Sequence, residues 1–329
     1  MKIYHDSDVD IGILKNKKIA VLGYGSQGRA QALCLHDSGL DVTVGVRKTG
    51  KSWNKAKEDG LKVAEMAAAV KGADIVMMLL PDETQPDIYE ETVRPNMKKG
   101  AALEFAHGFA ITFKLISPPE GIDVIMMAPK SPGDMERLAF LDGFGAPALI
   151  SVHQDATGNA KNIALALAKG IGATRAGVFE TTFDFETKSD LFGEQAVLCG
   201  GITALIKAGY DTLRKGGYPP EIAYFEVLHE TKLITDLIHT GGFTRMWDVV
   251  SNTAEFGGLT RRDRVITEQS KKGMESILND IETGVFKDEW RADWKNGLKK
   301  LKSMEKADQS LELETVGKDI RAMFERKSP

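Results

Sequence analysis

Lys18-Ile-Ala-Val-Leu-Gly-Tyr-Gly-Ser-Gln-Gly28 is the stretch that decides the fold. A short, mostly apolar run of buried-strand character passes directly into Gly23-x-Gly25-x-x-Gly28, and a helix-like segment follows to about Gly39. A glycine turn alone carries little information, but between a strand and a helix it has a specific chemistry. Its glycines permit a tight turn, close approach of a pyrophosphate and close helix–strand packing, and the helix N-terminus attracts the phosphate charge. Gly23, Tyr24, Gly25, Ser26, Gln27 and Gly28 are therefore the candidate cradle of a dinucleotide.

Further apolar runs follow at 42–46, 75–80, 101–105, 124–128 and 148–152, with helical patterns between several of them, that of 159–170 being the clearest. Continuous apolar strands separated by helices predict a parallel sheet covered on both faces. After about residue 182 the strand signals stop. Residues 190–215 read as one helix closed by Gly216 and Gly217, and Pro219 and Pro220 open a second that runs to Gly241 and Gly242. Thr260 with Asp263 resembles the start of a third, ending near Gly284. The expectation is an α/β chain: a Rossmann-type parallel-sheet domain over 1–181 and an all-α domain over 182–329.

A net charge of −4 leaves no basic footprint for nucleic acid or an anionic membrane surface. Cys34 and Cys199 are too few and too far apart for a disulfide framework. The charged first ten residues lack the apolar core of a signal peptide, and the longest apolar runs are too short for a bilayer. A cytoplasmic protein is expected.

The end of the second strand distinguishes the cofactors. NAD enzymes usually place a carboxylate there for the ribose hydroxyls, whereas this chain reads Arg47-Lys-Thr-Gly-Lys-Ser52. A guanidinium, ammoniums and a hydroxyl suit a 2′-phosphate, so Arg47 and Ser52 point to NADPH. In the helical half, Asp190 and Glu194 are four apart, as are Glu226 and Glu230. Residues at i and i+4 share a helix face, and hard carboxylate oxygens from two helices suit one or two Mg²⁺ ions. The apolar surroundings of both pairs would impose a desolvation cost that a cation offsets.

Taken together, the segments 23–28, Leu80-Pro-Asp-Glu-Thr-Gln85, Phe105-Ala-His-Gly-Phe109, Ala128-Pro-Lys130, Asp190-Leu-Phe-Gly-Glu-Gln195, Ala223-Tyr-Phe-Glu226 and Ser251-Asn-Thr-Ala-Glu255 resemble, in order and spacing, ketol-acid reductoisomerases of the short class I form. The resemblance covers essentially the whole chain. It implies a knotted helical domain, two Mg²⁺ ions, homodimers or assemblies of dimers, and an enzyme of valine and isoleucine biosynthesis. Such an enzyme isomerises 2-acetolactate or 2-aceto-2-hydroxybutyrate by alkyl migration and then reduces the new 2-keto acid with NADPH. By resemblance, Asp190, Glu194, Glu226 and Glu230 bind metal, the second pair coming from the partner subunit in a dimer of this kind. His107, Lys130 and Glu230 are catalytic, Ser251 binds the substrate carboxylate, and Asp82, Glu83, Thr84, Gln85 and Gly133 border the cofactor. The chain departs from the family pattern at Lys130-Ser-Pro-Gly-Asp134, usually Lys-Gly-Pro-Gly-His, and at Phe183-Asp-Phe-Glu-Thr-Lys-Ser-Asp190, usually Phe-Lys-Glu-Glu-Thr-Glu-Thr-Asp. A metal-free β-hydroxyacid or imine reductase also places helices behind a Rossmann domain, but the four spaced carboxylates argue against one.

Overall fold

The computed structural model describes residues 2–324, and the chain divides into two compact units, Met1–Ser189 and Asp190–Pro329. The first unit is built on nine strands: β1 Ile3–Tyr4, β2 Lys18–Leu22, β3 Asp41–Gly45, β4 Lys62–Ala64, β5 Ile75–Met78, β6 Ala102–Phe105, β7 Asp123–Pro129, β8 Ala148–Gln154 and β9 Val178–Glu180. They form one sheet in the order β1-β9-β8-β7-β6-β5-β2-β3-β4. The run from β4 to β7 is parallel, with Ile19 opposite both Val42 and Ile75. β8 runs antiparallel to β7, and β1 antiparallel to β9, so the sheet is mixed rather than wholly parallel. An apolar run reports burial on both faces but carries no sign of direction. Direction follows from the connection, here a single helix, Gly133–Leu141, between neighbouring strands.

Alternation along the strands divides the core in two. Ile19, Val21, Met77, Ile125 and Met127 face one cluster with Leu35 and Leu167 from the helices Ser26–Asp37 and Ala160–Gly170. Ala20, Leu22, Val76, Leu103, Phe105 and Met126 face the other. Each fully buried large side chain contributes roughly 1.5–3 kcal/mol. β2 lies between β3 and β5, so strand order reverses beside it, and an open α/β sheet leaves its ligand crevice at the carboxyl end of such a strand.

The second unit is helical throughout its described residues. Helical structure starts at Phe183, seven residues before the expected Asp190, and continues to Lys215 through a π-helical turn at Glu194–Leu198. Pro219 and Pro220 open Pro220–Tyr224, a second π turn follows at Phe225–His229, and the next helix, Glu230–Val249, breaks at Gly241 and Gly242. Thr260 does not start a helix. It lies inside Asn252–Val265, where its hydroxyl donates to the Phe256 carbonyl at 2.5 Å. The capping box belongs instead to Thr267 and Ser270, at the head of Glu268–Thr283, and Gly284 closes that helix at φ +83°. Both threonines are followed at three residues by a polar partner, so local spacing alone could not choose between them.

The core of the second unit is small, centred on Tyr210, Ala223, Tyr224, Leu313 and Ile320. Leu198, Leu205, Phe243 and Phe256 are exposed. The segment Phe183–Lys215 is long enough to cross a membrane and includes an 18-residue window of mean hydropathy 1.2, but a single helix of that kind is weak evidence of a span.

Candidate active site

Gly23 ends β2 at φ +97°, and a Cβ there would stand 2.3 Å from the Leu79 carbonyl oxygen, so only glycine fits the turn. At Gly25, by contrast, a Cβ would meet nothing within 4 Å. The backbone is thus open on that side, at the start of the helix Ser26–Asp37. The Tyr24 side chain turns away from it. Its hydroxyl donates to Asp59 at 2.8 Å, and Asp59 also takes two bonds from Arg29. Burial and Asp59 push the phenol above its ordinary range.

The loop carrying Lys130 is fastened to this turn. Gln27 Nε2 donates to the Ser131 carbonyl at 2.8 Å, and Gln31 Nε2 to Gln27 Oε1 at 3.0 Å. A Cβ on Gly133 would stand 2.4 Å from the Ser26 carbonyl oxygen, so the helix Gly133–Leu141 can press against the glycine turn only through a glycine. The Ser131 hydroxyl donates to the Pro132 carbonyl at 3.2 Å, and Asp134 lies in the first turn of that helix. On the other flank, Gln85 donates to the Leu80 carbonyl at 2.9 Å and to Asp82 at 3.2 Å, while the Thr84 hydroxyl donates to the Pro81 carbonyl. These bonds fix the 80–85 turn after β5, and Glu83 is half-buried on it. Arg47 is exposed beyond β3, in a turn closed by Gly50 N donating to the Arg47 carbonyl, and Ser52 sits in the first turn of Lys51–Glu58.

The least expected member of the site is Glu186. It is fully buried on the helix Phe183–Gly193, and its carboxylate accepts from Lys130 Nζ at 2.8 Å, from His107 Nδ1 at 3.0 Å and from the Gly108 backbone at 3.1 Å. Burial raises its pKa, but the bond and charge of His107, with those of Lys130, outweigh that, and the carboxyl is held below the ordinary value. An ionised Glu186 therefore joins the strand-end loops that carry His107 and Lys130. A signal was present in the sequence: Glu186 stands one turn before Asp190, as Asp190 does before Glu194.

In the second unit, Glu194 opens one π turn, Glu226 lies in the other, and Glu230 begins the helix after it. Such bulges occur frequently at functional positions. Glu194, Glu226 and Glu230 are exposed, so within this chain the expected desolvation of the two pairs does not occur. Among the described residues, no three of Asp190, Glu194, Glu226 and Glu230 bring ligand atoms within 4.8 Å of one another. Ser251 caps Asn252–Val265, its oxygen accepting from Ala254 N at 3.2 Å.

Residues 13–177 match the family model described as "Acetohydroxy acid isomeroreductase, NADPH-binding domain", and residues 183–326 match "Ketol-acid reductoisomerase, C-terminal domain". The chain belongs to the ketol-acid reductoisomerases. It is 53% identical over 323 residues to a ketol-acid reductoisomerase (NADP(+)) of Methanococcus maripaludis, covering 98% of each chain. A relative of the same name from Methanothermobacter thermautotrophicus is likewise 53% identical, again over 98% of each. Among solved structures it is similar, at TM-score 0.96 and 49% identity, to an NADH-preferring ketol-acid reductoisomerase from an uncultured archaeon, covering 99% of this chain and 100% of that one. Membership makes the chain an oxidoreductase of the branched-chain amino-acid pathway, with a Rossmann-type unit ahead of a helical one.

Proposed function

We propose that this chain converts 2-acetolactate or 2-aceto-2-hydroxybutyrate to the 2,3-dihydroxy acid in valine and isoleucine biosynthesis. The observation that carries the reading is the ionised, buried Glu186 holding His107 and Lys130 together at the carboxyl edge of the sheet, beside the glycine turn. When bound, two Mg²⁺ ions would polarise the substrate oxygens for alkyl migration, and NADPH would supply the hydride.

The remaining roles belong to the protein. Gly23 to Gly28 hold the pyrophosphate, while Arg47 and Ser52 accept the 2′-phosphate. The 82–85 turn and Gly133 border the nicotinamide. Asp190, Glu194, Glu226 and Glu230 offer hard oxygen ligands whose chemistry fits Mg²⁺. In this reading the two pairs meet across a dimer. Glu230 carries a proton to and from the substrate hydroxyl, Lys130 and His107 orient the reacting oxygens, and Ser251 donates to the substrate carboxylate. The exposed Leu198, Leu205, Phe243 and Phe256 are proposed to be covered by a second copy of the chain, in a cytoplasmic homodimer. We set the working domain boundary near residue 181, between the two matched family segments.

NADPH oxidation with 2-acetolactate, with and without Mg²⁺, tests the reading, followed by the same assay with the isomerised 2-keto acid. Magnesium-dependent turnover of both is expected. Tight NADPH binding without turnover of either would overturn it.

A further inference from the structure

Two glutamines one turn apart, Gln27 and Gln31, lie on one face of the helix Ser26–Asp37. Their settings differ. Gln27 is half-buried beside the glycine turn, whereas Gln31 is 0% exposed and shares its side of the helix with Cys34 and Leu35 of the core. A side-chain amide in such a place carries a desolvation cost that only hydrogen bonds offset. Here the offset is incomplete. Gln31 Nε2 donates to Gln27 Oε1 at 3.0 Å, but Gln31 Oε1 is buried with no hydrogen-bond partner among the described residues. A methionine of similar length would fill the position without leaving a buried acceptor unmet, so stability does not account for glutamine there.

The polarity of the hydrogen bonds does. The Ser131 carbonyl can only accept, so Gln27 must turn Nε2 toward it, and Gln27 Oε1 is then the atom left facing Gln31. Gln31 supplies the donor that this orientation needs. Without that donor the Gln27 amide is free to rotate by half a turn, which sets two oxygens face to face and breaks the tie to Ser131. The tie matters because of its neighbours. Lys130, whose Nζ donates to Glu186, precedes Ser131, and its backbone N donates to the Pro147 carbonyl at 2.8 Å. The loop backbone is thus held from the lead into β8 on one side and from the glycine turn on the other.

We infer that Gln31 is a positioning residue for the Lys130 loop, acting through Gln27: its amide fixes the orientation in which Gln27 holds the Ser131 carbonyl. The inference rests on the reading of Lys130 as a group that orients the reacting oxygens.

The test compares the full chain with Gln31→Met, Gln27→Met and the double variant, each with NADPH and Mg²⁺, in steady-state turnover of 2-acetolactate, NADPH titration and thermal melting. In Gln31→Met, kcat should fall about tenfold, while NADPH affinity changes little and the melting temperature is no lower than the parent's. The double variant should lose no more turnover than Gln27→Met alone, because one residue acts through the other. Losses that add in the double variant would overturn the inference, as would a lower melting temperature in Gln31→Met with kcat unchanged, the mark of a structural role. A parent without magnesium-dependent turnover would overturn the reading of the site and this inference with it, whereas normal parent turnover that Gln31→Met leaves intact would overturn the inference alone.

Discussion

Lys130 Nζ donates to the Glu186 carboxylate at 2.8 Å, and that carboxylate is only 1% exposed while the ammonium is 34% exposed. The pair thus anchors a partly solvated cation on a carboxylate that cannot move, with His107 on its other side. Fixed charge of this kind positions groups without reorganisation during reaction.

Glu186→Gln keeps the size and removes the charge. Turnover on 2-acetolactate should fall on the order of a hundredfold, as expected when a supporting contact lets a reacting group shift by about 1 Å. NADPH affinity should change less than about threefold, because the partners of Glu186 are His107, Gly108 and Lys130, outside the glycine turn. Steady-state kinetics beside a cofactor titration checks this; parallel loss of both would make Glu186 a folding residue only.

Cofactor choice rests on Arg47 and Ser52. NADPH should bind more tightly than NADH, and Arg47→Asp should reverse or abolish the preference. Each lost charge-assisted bond costs about 1.5–3 kcal/mol, roughly tenfold to a hundredfold in affinity. Fluorescence titration with both cofactors decides. Equal affinities in the parent would show that these two residues do not select, a pointed comparison given the NADH-preferring relative.

The two carboxylate pairs should divide the reaction. Alkyl migration needs two placed cations, whereas hydride delivery to a ready-made 2-keto acid needs less electrophilic help. Glu226→Gln and Glu230→Gln should lower conversion of 2-acetolactate more than reduction of the isomerised acid, and should weaken Mg²⁺ binding measured by calorimetry. Because both residues are exposed, the variants should fold normally.

Stability should fall as pH rises through the neutral range. Glu136 and Glu104 are fully buried, and neither Glu136 oxygen has a hydrogen-bond partner among the described residues. Burial pushes the Glu136 carboxyl from 4.5 to about 8, and burial, with Glu136 nearby, raises Glu104 well above its usual value. The folded chain therefore keeps a proton that the unfolded chain releases near pH 4.5. That contribution is complete below about pH 4.5 and is lost as pH climbs to about 8. Asp59, Asp74 and Glu186, whose carboxyls are held low, act in the opposite sense, but only in more acidic solution. Melting temperature should decline from pH 5 to 8, and Glu136→Gln should flatten that slope and raise the value at pH 8 by roughly 2–6 °C. An unchanged slope in the variant would show that Glu136 is not the group responsible.

Local chemistry made much of this protein legible in one dimension. The strand–glycine–helix junction at 18–28, the absence of a carboxylate after β3, the prolines at 219 and 220 and the i, i+4 carboxylates are each short-range patterns. Their meaning depends on neighbours within a few residues, and linear reading recovers that. Glu186 shows the limit. In sequence it is one acid among several in Phe183-Asp-Phe-Glu-Thr-Lys-Ser-Asp190, and its one local cue, a place one turn before Asp190, does not say that it faces inward while Asp184 faces out.

By itself, then, the sequence determined the class of the fold, the cofactor turn and the residue types offered to metal, because periodicity and spacing encode them directly. Only the tertiary structure decided that β8 reverses direction, that Tyr24 is spent on Asp59, that Thr267 rather than Thr260 caps a helix, and that Glu186 joins His107 to Lys130. Each of those depends on burial and on partners from about 20 to about 80 residues away, or on which of two equivalent local signals the packing selects. Such choices are settled by three-dimensional contact, which no window along the chain contains.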